Sequence, residues 1–316
     1  MGDRENRVFR EILGRVSGFT GVGCVTFCLL GNHFHLLLEV RDEEQAELVR
    51  RAEGGEMDGE VCGRVGILNG KEAAAALGKE LGELRSGGKD AEAWDRLEGL
   101  VARMGNLASF VKELKWRFSA WYNGEQGRVG TLWESRFRSV LVEGSEEALA
   151  ATAAYIDLNP VRAGLAKDPK DYRFCGYAEA VGGKAQAREG LRRVVAGGEA
   201  DLPEAEVLKR YRVLLFGRGM QRRNESGAVV RRGFSEEESQ AVMEAGGALP
   251  LYEVLRCRVR YLTEGAAIGS REFLGRLLVG RREFFGRGRK VGGRKMRGGD
   301  WGGLCAVRDL RDPKPA

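Results

Sequence analysis

Residues 22–40, VGCVTFCLLGNHFHLLLEV, contain two apolar runs on either side of Gly31-Asn32. Gly-Asn is a turn signal, so the stretch predicts a β-hairpin with strands over about 21–30 and 33–40. The second strand carries both histidines of the chain, His33 and His35. Residues i and i+2 of a strand point to the same face, with Cα atoms about 7 Å apart, so both imidazoles can reach one divalent metal ion. The spacing alone is equally compatible with a chance pair of histidines on an apolar strand.

Outward from the hairpin, the patterns predict an α+β fold with an antiparallel sheet. Helical spacing or alternation predicts helices over 5–17 and 107–122, a strand over 131–143, and a helix from Ser145 to about Asn159. Ser145 is a favourable N-cap residue, and two acidic residues follow it in the first turn. The helix must end near Asn159 because Pro160 cannot continue it.

The composition along the chain predicts several further segments. Residues 1–180 are expected to form one domain that contains a helical insertion over about 42–100, rich in Glu, Ala, Gly and Lys. The later segments are a linker over 181–203, a helical region over 204–286 and a flexible basic tail over 287–316. Within the helical region, the expected helices cover 204–215, 235–244, 251–262 and 270–285. A short Gly-containing turn before Ser270 makes this region compatible with a helix-turn-helix.

The chain of 316 residues contains 52 basic and 46 acidic residues, a net charge of +6. The basic excess is concentrated between Arg276 and Arg297, which contains Glu283 as its one acidic residue. Such a cluster suits nucleic acid, and a solubilising tail explains it equally well. No signal peptide or membrane-spanning run is evident and the six cysteines are scattered, so we expect a reduced, cytoplasmic protein.

Tyr155 and Asn159 are the second pair of residues that could carry chemistry. They lie one helical turn apart, so they share a helix face. A tyrosine hydroxyl can attack phosphorus, and an asparagine carbonyl oxygen can bind Mg²⁺ or Mn²⁺. Asp157 points elsewhere on the helix and is expected to be a surface acid. Alone, Tyr155 would more often be a half-buried structural tyrosine.

Three motifs of the sequence resemble, in order, those of the single-tyrosine transposases of the HUH type. LLGNHFHLLLEV is similar to their His-hydrophobic-His strand. YNGEQGRVGTLWESRFRSVLVE and then YIDLNPVRAGL resemble the REP-associated tyrosine transposases of bacteria and their relatives. The resemblance covers roughly residues 5–177.

The resemblance implies a set of roles for individual residues. His33 and His35 would bind Mg²⁺ or Mn²⁺, and Asn159 would occupy the third ligand position. Tyr155 would attack a phosphate of single-stranded DNA at hairpin-bearing sites, retain the 5′ phosphate and release a 3′ hydroxyl; reversal would join new ends without a nucleotide cofactor.

Three arginines are expected to contact the DNA. Arg136 and Arg138 alternate on the predicted strand 131–143, where they could pair with phosphates or form a solvated face. Arg162 lies within the YIDLNPVRAGL motif. Some members of the family are homodimers and others monomers, so the oligomeric state stays open.

The family's domain begins with a β-strand before the first helix, and this sequence opens almost directly into the helix. We therefore expect a ferredoxin-like sheet without its first strand, which bears on activity. Two other functions stay open: a catalytically inactive, sequence- or hairpin-specific DNA-binding regulator, and a nickase of the replication or relaxase type.

Overall fold

The computed structural model describes residues 1–40, 42–196, 199, 201–217, 222–223, 229–231, 260–286, 288–296 and 301–308. Within these ranges the protein is α+β, as predicted, with many helices and small sheets. The chain divides into two compact units, one of residues 1–24 and 38–136 and the other of residues 25–37 and 137–316.

The regular structure of the first unit is helical apart from the ends of the hairpin strands. Its helices are α1 (Asp3–Thr20), α2 (Asp42–Glu53), α3 (Asp58–Asn69), α4 (Lys71–Ser86), α5 (Asp90–Val101) and α6 (Leu107–Glu125). Phe9 of α1 meets Phe118 of α6 with ring centroids 5.1 Å apart. Helix α3 packs against α1, so the predicted helical insertion is indeed helical and belongs to the same unit as α1 and α6.

The second unit begins with the predicted hairpin. Strands β1 (Gly23–Leu29) and β2 (Phe34–Glu39) form a two-stranded sheet. The Leu30 amide donates to the His33 carbonyl oxygen at 2.9 Å, which closes the turn. The other edge of β1 meets the segment around Cys175, where the Leu29 amide donates to the Phe174 carbonyl at 2.9 Å.

Helices cover the hairpin in this unit. They are α7 (Glu146–Asp157), α8 (Asn159–Arg162), α9 (Gly176–Val181), α10 (Ala185–Val195) and α11 (Glu204–Gly217), with a 3-10 turn at Pro169–Asp171. Their apolar side chains and those of β1 and β2 share one core. Helix α7 is the centre of this core, because nearly all its residues from Ala148 to Asp157 are buried.

A second sheet contains strands from both sides of α7 in the sequence. Its order is β3 (Leu141–Val142), β6 (Ala267–Gly269), β8 (Cys305–Val307) and β7 (Arg294–Lys295). β3 is parallel to β6, whereas β8 is antiparallel to both β6 and β7. The neighbouring helices are α12 (Arg260–Glu264) and α13 (Arg271–Gly280), with a 3-10 turn at Arg282–Phe284. Strands β4 (Arg222–Arg223) and β5 (Val229–Arg231) form a separate antiparallel pair.

Four sequence-based expectations differ from these elements. The strand expected over 131–143 is formed only at Leu141–Val142, since these residues find a partner in β6. The expected linker 181–203 contains helix α10, whose apolar face is buried in the core. The expected flexible tail contains β7 and β8. Strand β6 occupies the expected turn between α12 and α13, so this helix pair is not a helix-turn-helix. The helix expected over 235–244 and most of that over 251–262 lie outside the described residues.

Because α10 packs closely on β1, adding a single methyl group at Gly190 is expected to lower the stability of the protein strongly. A Cβ atom on Gly190 would lie 2.0 Å from the Val25 carbonyl oxygen and 2.8 Å from its carbon. Because both partners are backbone, Gly190→Ala must displace the helix, and we expect it to lower the free energy of unfolding by about 1–3 kcal/mol. Urea unfolding measures this loss.

Gly82 in α4 provides the matched control for Gly190. A Cβ atom there would have no other atom within 4 Å, and the position is exposed. Gly82→Ala should therefore raise the free energy of unfolding by up to about 1 kcal/mol through helix propensity. Equal effects of the two substitutions would contradict the close packing of α10 on β1.

Candidate active site

The two histidines lie together at the start of β2. His33 is exposed in the residue before the strand, and His35 is half-buried within it. Their ring centroids are 5.1 Å apart and the rings are perpendicular. The sequence-based expectation that the two side chains lie side by side is confirmed. Phe34, between the two histidines, is half-buried.

Loss of contact with water, partial for His33 and larger for His35, favours the uncharged form of both imidazoles. It lowers the pKa of His33, and it lowers the pKa of His35 to about 4 with contributions from the nearby His33 and Arg162. His33 Nδ1 lies 2.7 Å from Asn32 Oδ1. A hydrogen bond between these atoms requires the proton on Nδ1, which leaves the Nε2 lone pair of His33 available. Neutral imidazoles with available lone pairs are the form that binds metal ions.

Helix α7 brings Tyr155 to these histidines. The Tyr155 ring lies 5.5 Å from the His35 ring between centroids, at an interplanar angle of 77°. The guanidinium carbon of Arg162 is also 5.5 Å from the Tyr155 ring centroid. Burial raises the pKa of Tyr155, while a hydrogen bond with Asn159 and the charge of Arg162 act in the opposite direction. The hydroxyl is therefore protonated at neutral pH, beside a cation that favours its ionised form.

Asn159 lies one turn after Tyr155, at the start of α8. Its Nδ2 donates to the Tyr155 carbonyl oxygen at 2.9 Å and to the Ile156 carbonyl oxygen at 3.4 Å. These bonds give additional donors to carbonyls at the end of α7, where Pro160 has no amide hydrogen to donate. Because the nitrogen is held by the backbone, the side-chain oxygen is the atom that could bind a cation.

The donor set fits a divalent cation. It consists of two neutral imidazoles and one amide oxygen, which suit first-row metals and Mg²⁺ respectively. The described part of the chain contains no group of three or more His, Cys, Asp or Glu side chains that could hold a metal ion. The assignment of Asn159 as the third ligand beside the histidine pair stays a prediction.

Asp157 is buried, which makes the expectation of a surface acid wrong. Its carboxylate accepts hydrogen bonds from Thr26 Oγ1 at 2.9 Å, the Tyr177 amide at 3.0 Å and the Tyr211 hydroxyl. Burial raises its pKa to about 6, against the lowering effect of these donors. Asp157, two residues after Tyr155 on α7, is thus connected by hydrogen bonds to β1, α9 and α11. A signal for this was present in the sequence: a helix that is apolar all round is buried, and a buried acid needs partners.

Arg136 and Arg138 are not placed as the sequence predicted. Both are exposed in a segment without regular structure, so they do not alternate on a strand. Arg162 is the one residue of the three that the structure brings to Tyr155.

The histidines give a direct spectroscopic prediction. Since the chain contains only two, histidine-selective labelling with NMR detection reports the site alone. In metal-free protein we expect His35 to titrate near pH 4 and His33 below 6.5. A folded pKa below the unfolded value means that His35 destabilises the fold as the pH decreases from about 6.5 to about 4. Titration of both rings near pH 6.5 would contradict their placement.

No helix among the residues described here is both long and apolar enough to cross a membrane. Comparison with family models, curated proteins and solved structures gave no match to this chain. The function must therefore be inferred from the residues themselves and their geometry.

Proposed function

We propose that this protein is a transposase of the HUH single-tyrosine type, which cuts and rejoins single-stranded DNA at hairpin-bearing sites through a 5′-phosphotyrosine intermediate. The finer fold is then a HUH, ferredoxin-like variant in which β1 and β2 provide the metal-binding hairpin and α7 provides the nucleophile. Mg²⁺ or Mn²⁺ is the proposed cofactor.

The observation that carries this proposal is the contact between His35 and Tyr155. The two residues are far apart in the sequence, yet their rings lie 5.5 Å apart. His33 contacts the His35 ring, and the Arg162 guanidinium contacts the Tyr155 ring. The Tyr155 hydroxyl supplies a nucleophile, the two neutral imidazoles supply candidate metal ligands, and the Arg162 guanidinium supplies a positive charge. These groups together suit attack on a phosphodiester. If the two histidines were a chance pair on a strand, contact with Tyr155 of the YIDLNPVRAGL motif would not be expected.

Each residue has a role in the proposed reaction. His33, His35 and Asn159 would hold the cation, which when bound polarises the phosphoryl oxygens. The Tyr155 oxygen forms a bond to phosphorus and loses its proton, while the bond from phosphorus to the 3′ oxygen breaks and that oxygen leaves as a hydroxyl. Arg162 stabilises the developing phenolate and the negative charge on the phosphate.

A catalytically inactive DNA-binding regulator is the second candidate. The low exposure of Tyr155, which is 9%, favours it, because a phosphate must reach the hydroxyl. A nickase of the replication or relaxase type would use the same groups and differs in its DNA product.

The test is formation of a covalent adduct with DNA. Single-stranded DNA that carries a hairpin and a label at its 3′ end is incubated with the protein and Mg²⁺ or Mn²⁺, or with EDTA. We expect labelled protein only with the metal, and mass spectrometry of the digested adduct should place the nucleotide on Tyr155. Rejoining of the released ends distinguishes a transposase from a nickase. DNA binding without any adduct would support the regulator instead.

Metal binding can be measured without activity. Mn²⁺ is paramagnetic, so its binding should broaden the NMR signals of both histidine rings at substoichiometric amounts. Signals that stay sharp in excess Mn²⁺ would overturn the metal assignment.

A further inference from the structure

The last part of the chain forms a small folded module on the catalytic helix. We call the described residues 260–286, 288–296 and 301–308 the C-terminal module; it contains β6, β7, β8, α12 and α13. Its strand β6 pairs with β3, which leads directly into α7. The Ile268 and Trp301 side chains pack in one apolar cluster with Ala148 and Ala151 of α7.

A polar contact strengthens this attachment. The Glu143 carboxylate, between β3 and α7, accepts from the Ser270 amide at 2.6 Å and from the Ser270 hydroxyl at 2.9 Å. Ser270 is also the N-cap of α13, since its hydroxyl accepts from the Phe273 amide at 3.0 Å. The first turn of α13 is therefore fixed to the residues that begin the tyrosine helix.

Several segments of the module that carry basic residues contact one another. A Cβ atom on Gly292 would lie 2.0 Å from the Leu274 carbonyl oxygen and 2.7 Å from the Gly275 amide nitrogen, so the loop before β7 touches α13 beside Arg276. The guanidinium of Arg282 donates to the Arg289 carbonyl at 2.8 Å, which joins the 3-10 turn to the same loop. These contacts hold the helix, the 3-10 turn and the loop that carry the basic residues next to one another.

The charge of this surface is strongly positive. Within 271–286 and 288–296 there are eight basic residues, and the acidic residues are Glu272 and Glu283. Six of the basic side chains are exposed and form no ion pair with any described residue: Arg271, Arg276, Arg281, Lys290, Arg294 and Lys295. A cationic surface of this kind suits phosphates.

The aromatic residues indicate which form of nucleic acid the surface suits. Proteins that hold single strands stack unpaired bases on exposed aromatic rings. In the described part of the module, Tyr261, Phe285 and Trp301 are buried, and Phe273 and Phe284 are half-buried. Charge without an exposed stacking ring suits the phosphates of a duplex better than the bases of a single strand.

We propose that the C-terminal module binds the duplex stem of a DNA hairpin through its phosphates, and that its attachment to α7 sets the distance from the stem to Tyr155. This inference rests on the proposed function, because it assigns the hairpin of the same substrate to a second surface. It predicts that the module contributes affinity and position, while the residues around Tyr155 carry out the chemistry.

The experiment removes the charges without disturbing the core. Two double variants of the module are made: one combines Arg276→Ala and Lys290→Ala, and the other combines Arg294→Ala and Lys295→Ala. The control double variant combines Lys71→Ala and Lys79→Ala. The control pair is exposed on α4 in the other unit and removes the same charge. Fluorescence anisotropy in EDTA measures the binding of a hairpin with a stem of about 10 base pairs, one helical turn, and of an unstructured oligothymidine.

We expect each module variant to weaken hairpin binding at least about tenfold, and to reduce the salt dependence by about one unit of log–log slope per lost phosphate contact. Oligothymidine binding and the control variant should change less than about threefold. Hairpin binding that equals wild type, or an equal loss in the control, would overturn the proposal. Unchanged thermal midpoints confirm that each variant is folded, and combining both pairs tests whether the losses add.

The outcomes separate this inference from the proposed function. If wild type forms the phosphotyrosine adduct but the module variants bind hairpins normally, the surface assignment fails and the transposase proposal stands. If the variants lose hairpin binding but wild type never forms an adduct, the surface is a duplex-binding site of a regulator. Variants that keep adduct formation at saturating DNA while losing hairpin affinity match the proposal.

Discussion

Tyr155→Phe is expected to abolish formation of the covalent DNA adduct, with a loss of at least about 10⁴-fold in rate, the scale seen when a nucleophile is removed. The substitution deletes only the hydroxyl oxygen that forms the bond to phosphorus. The ring remains, so the contacts with His35 and Arg162, each at 5.5 Å, are kept. Denaturing gel electrophoresis of 3′-labelled DNA with Mn²⁺ measures the adduct directly.

The interpretation depends on showing that the phenylalanine variant is otherwise intact. Its hairpin affinity and the Mn²⁺-induced broadening of both histidine signals should equal those of wild type, because neither requires the hydroxyl. Tyr122→Phe, at a half-buried position of α6, removes the same atom outside the site and should leave the adduct yield unchanged. An adduct that persists at wild-type yield in Tyr155→Phe would disprove the assignment of the nucleophile.

Local patterns in the sequence were sufficient to predict the elements that carry the site. The hairpin, α1, α6 and α7 all follow from periodicity, turn signals and caps, and each lies within about three residues of its expected bounds. The pairing of His33 and His35 was predictable for the same reason, since it depends only on the two-residue repeat of a strand.

Long-range pairing was not predictable from local patterns. The alternation in TLWESRFRSVLVE indicates a strand, but only Leu141 and Val142 find a partner, and that partner is β6, more than 100 residues later in the chain. The glycines near the C-terminus were interpreted as flexible. At Gly292 and Gly293 the absence of a side chain instead permits close contact with Leu274. Composition cannot distinguish a glycine that makes the backbone flexible from a glycine that lets two backbone segments pack closely.

The burial of Asp157, within the site, was likewise not predictable from local patterns. Its place on the helix was predictable, but its burial depends on β1, α9 and α11, which arrive from distant parts of the sequence. Thr26, Tyr177 and Tyr211 supply the hydrogen bonds that make a buried carboxylate tolerable. The contact between His35 and Tyr155 likewise could not be predicted from local patterns, because no spacing rule connects the two residues.

The Asp157 network predicts the largest effect on stability. Asp157→Ala leaves the Thr26 and Tyr211 hydroxyls and the Tyr177 amide without their acceptor in a fully buried place. Each unsatisfied group costs about 1–3 kcal/mol, so we expect the free energy of unfolding to decrease by at least about 3 kcal/mol. Urea unfolding at neutral pH measures the loss, and a change below about 1 kcal/mol would contradict the network.

Asp157→Asn separates the shape of this network from its charge. The amide keeps an acceptor oxygen and the volume of the side chain, so it should cost much less than alanine. The pKa of Asp157 is raised from 3.8 to about 6, which means that its contribution to stability is fully present below about pH 4 and decreases as the pH rises through about 6. Asparagine does not titrate, so wild type should lose stability relative to Asp157→Asn between these pH values. Urea unfolding of both proteins across this range measures the difference; a constant difference would show that burial does not raise the pKa of Asp157.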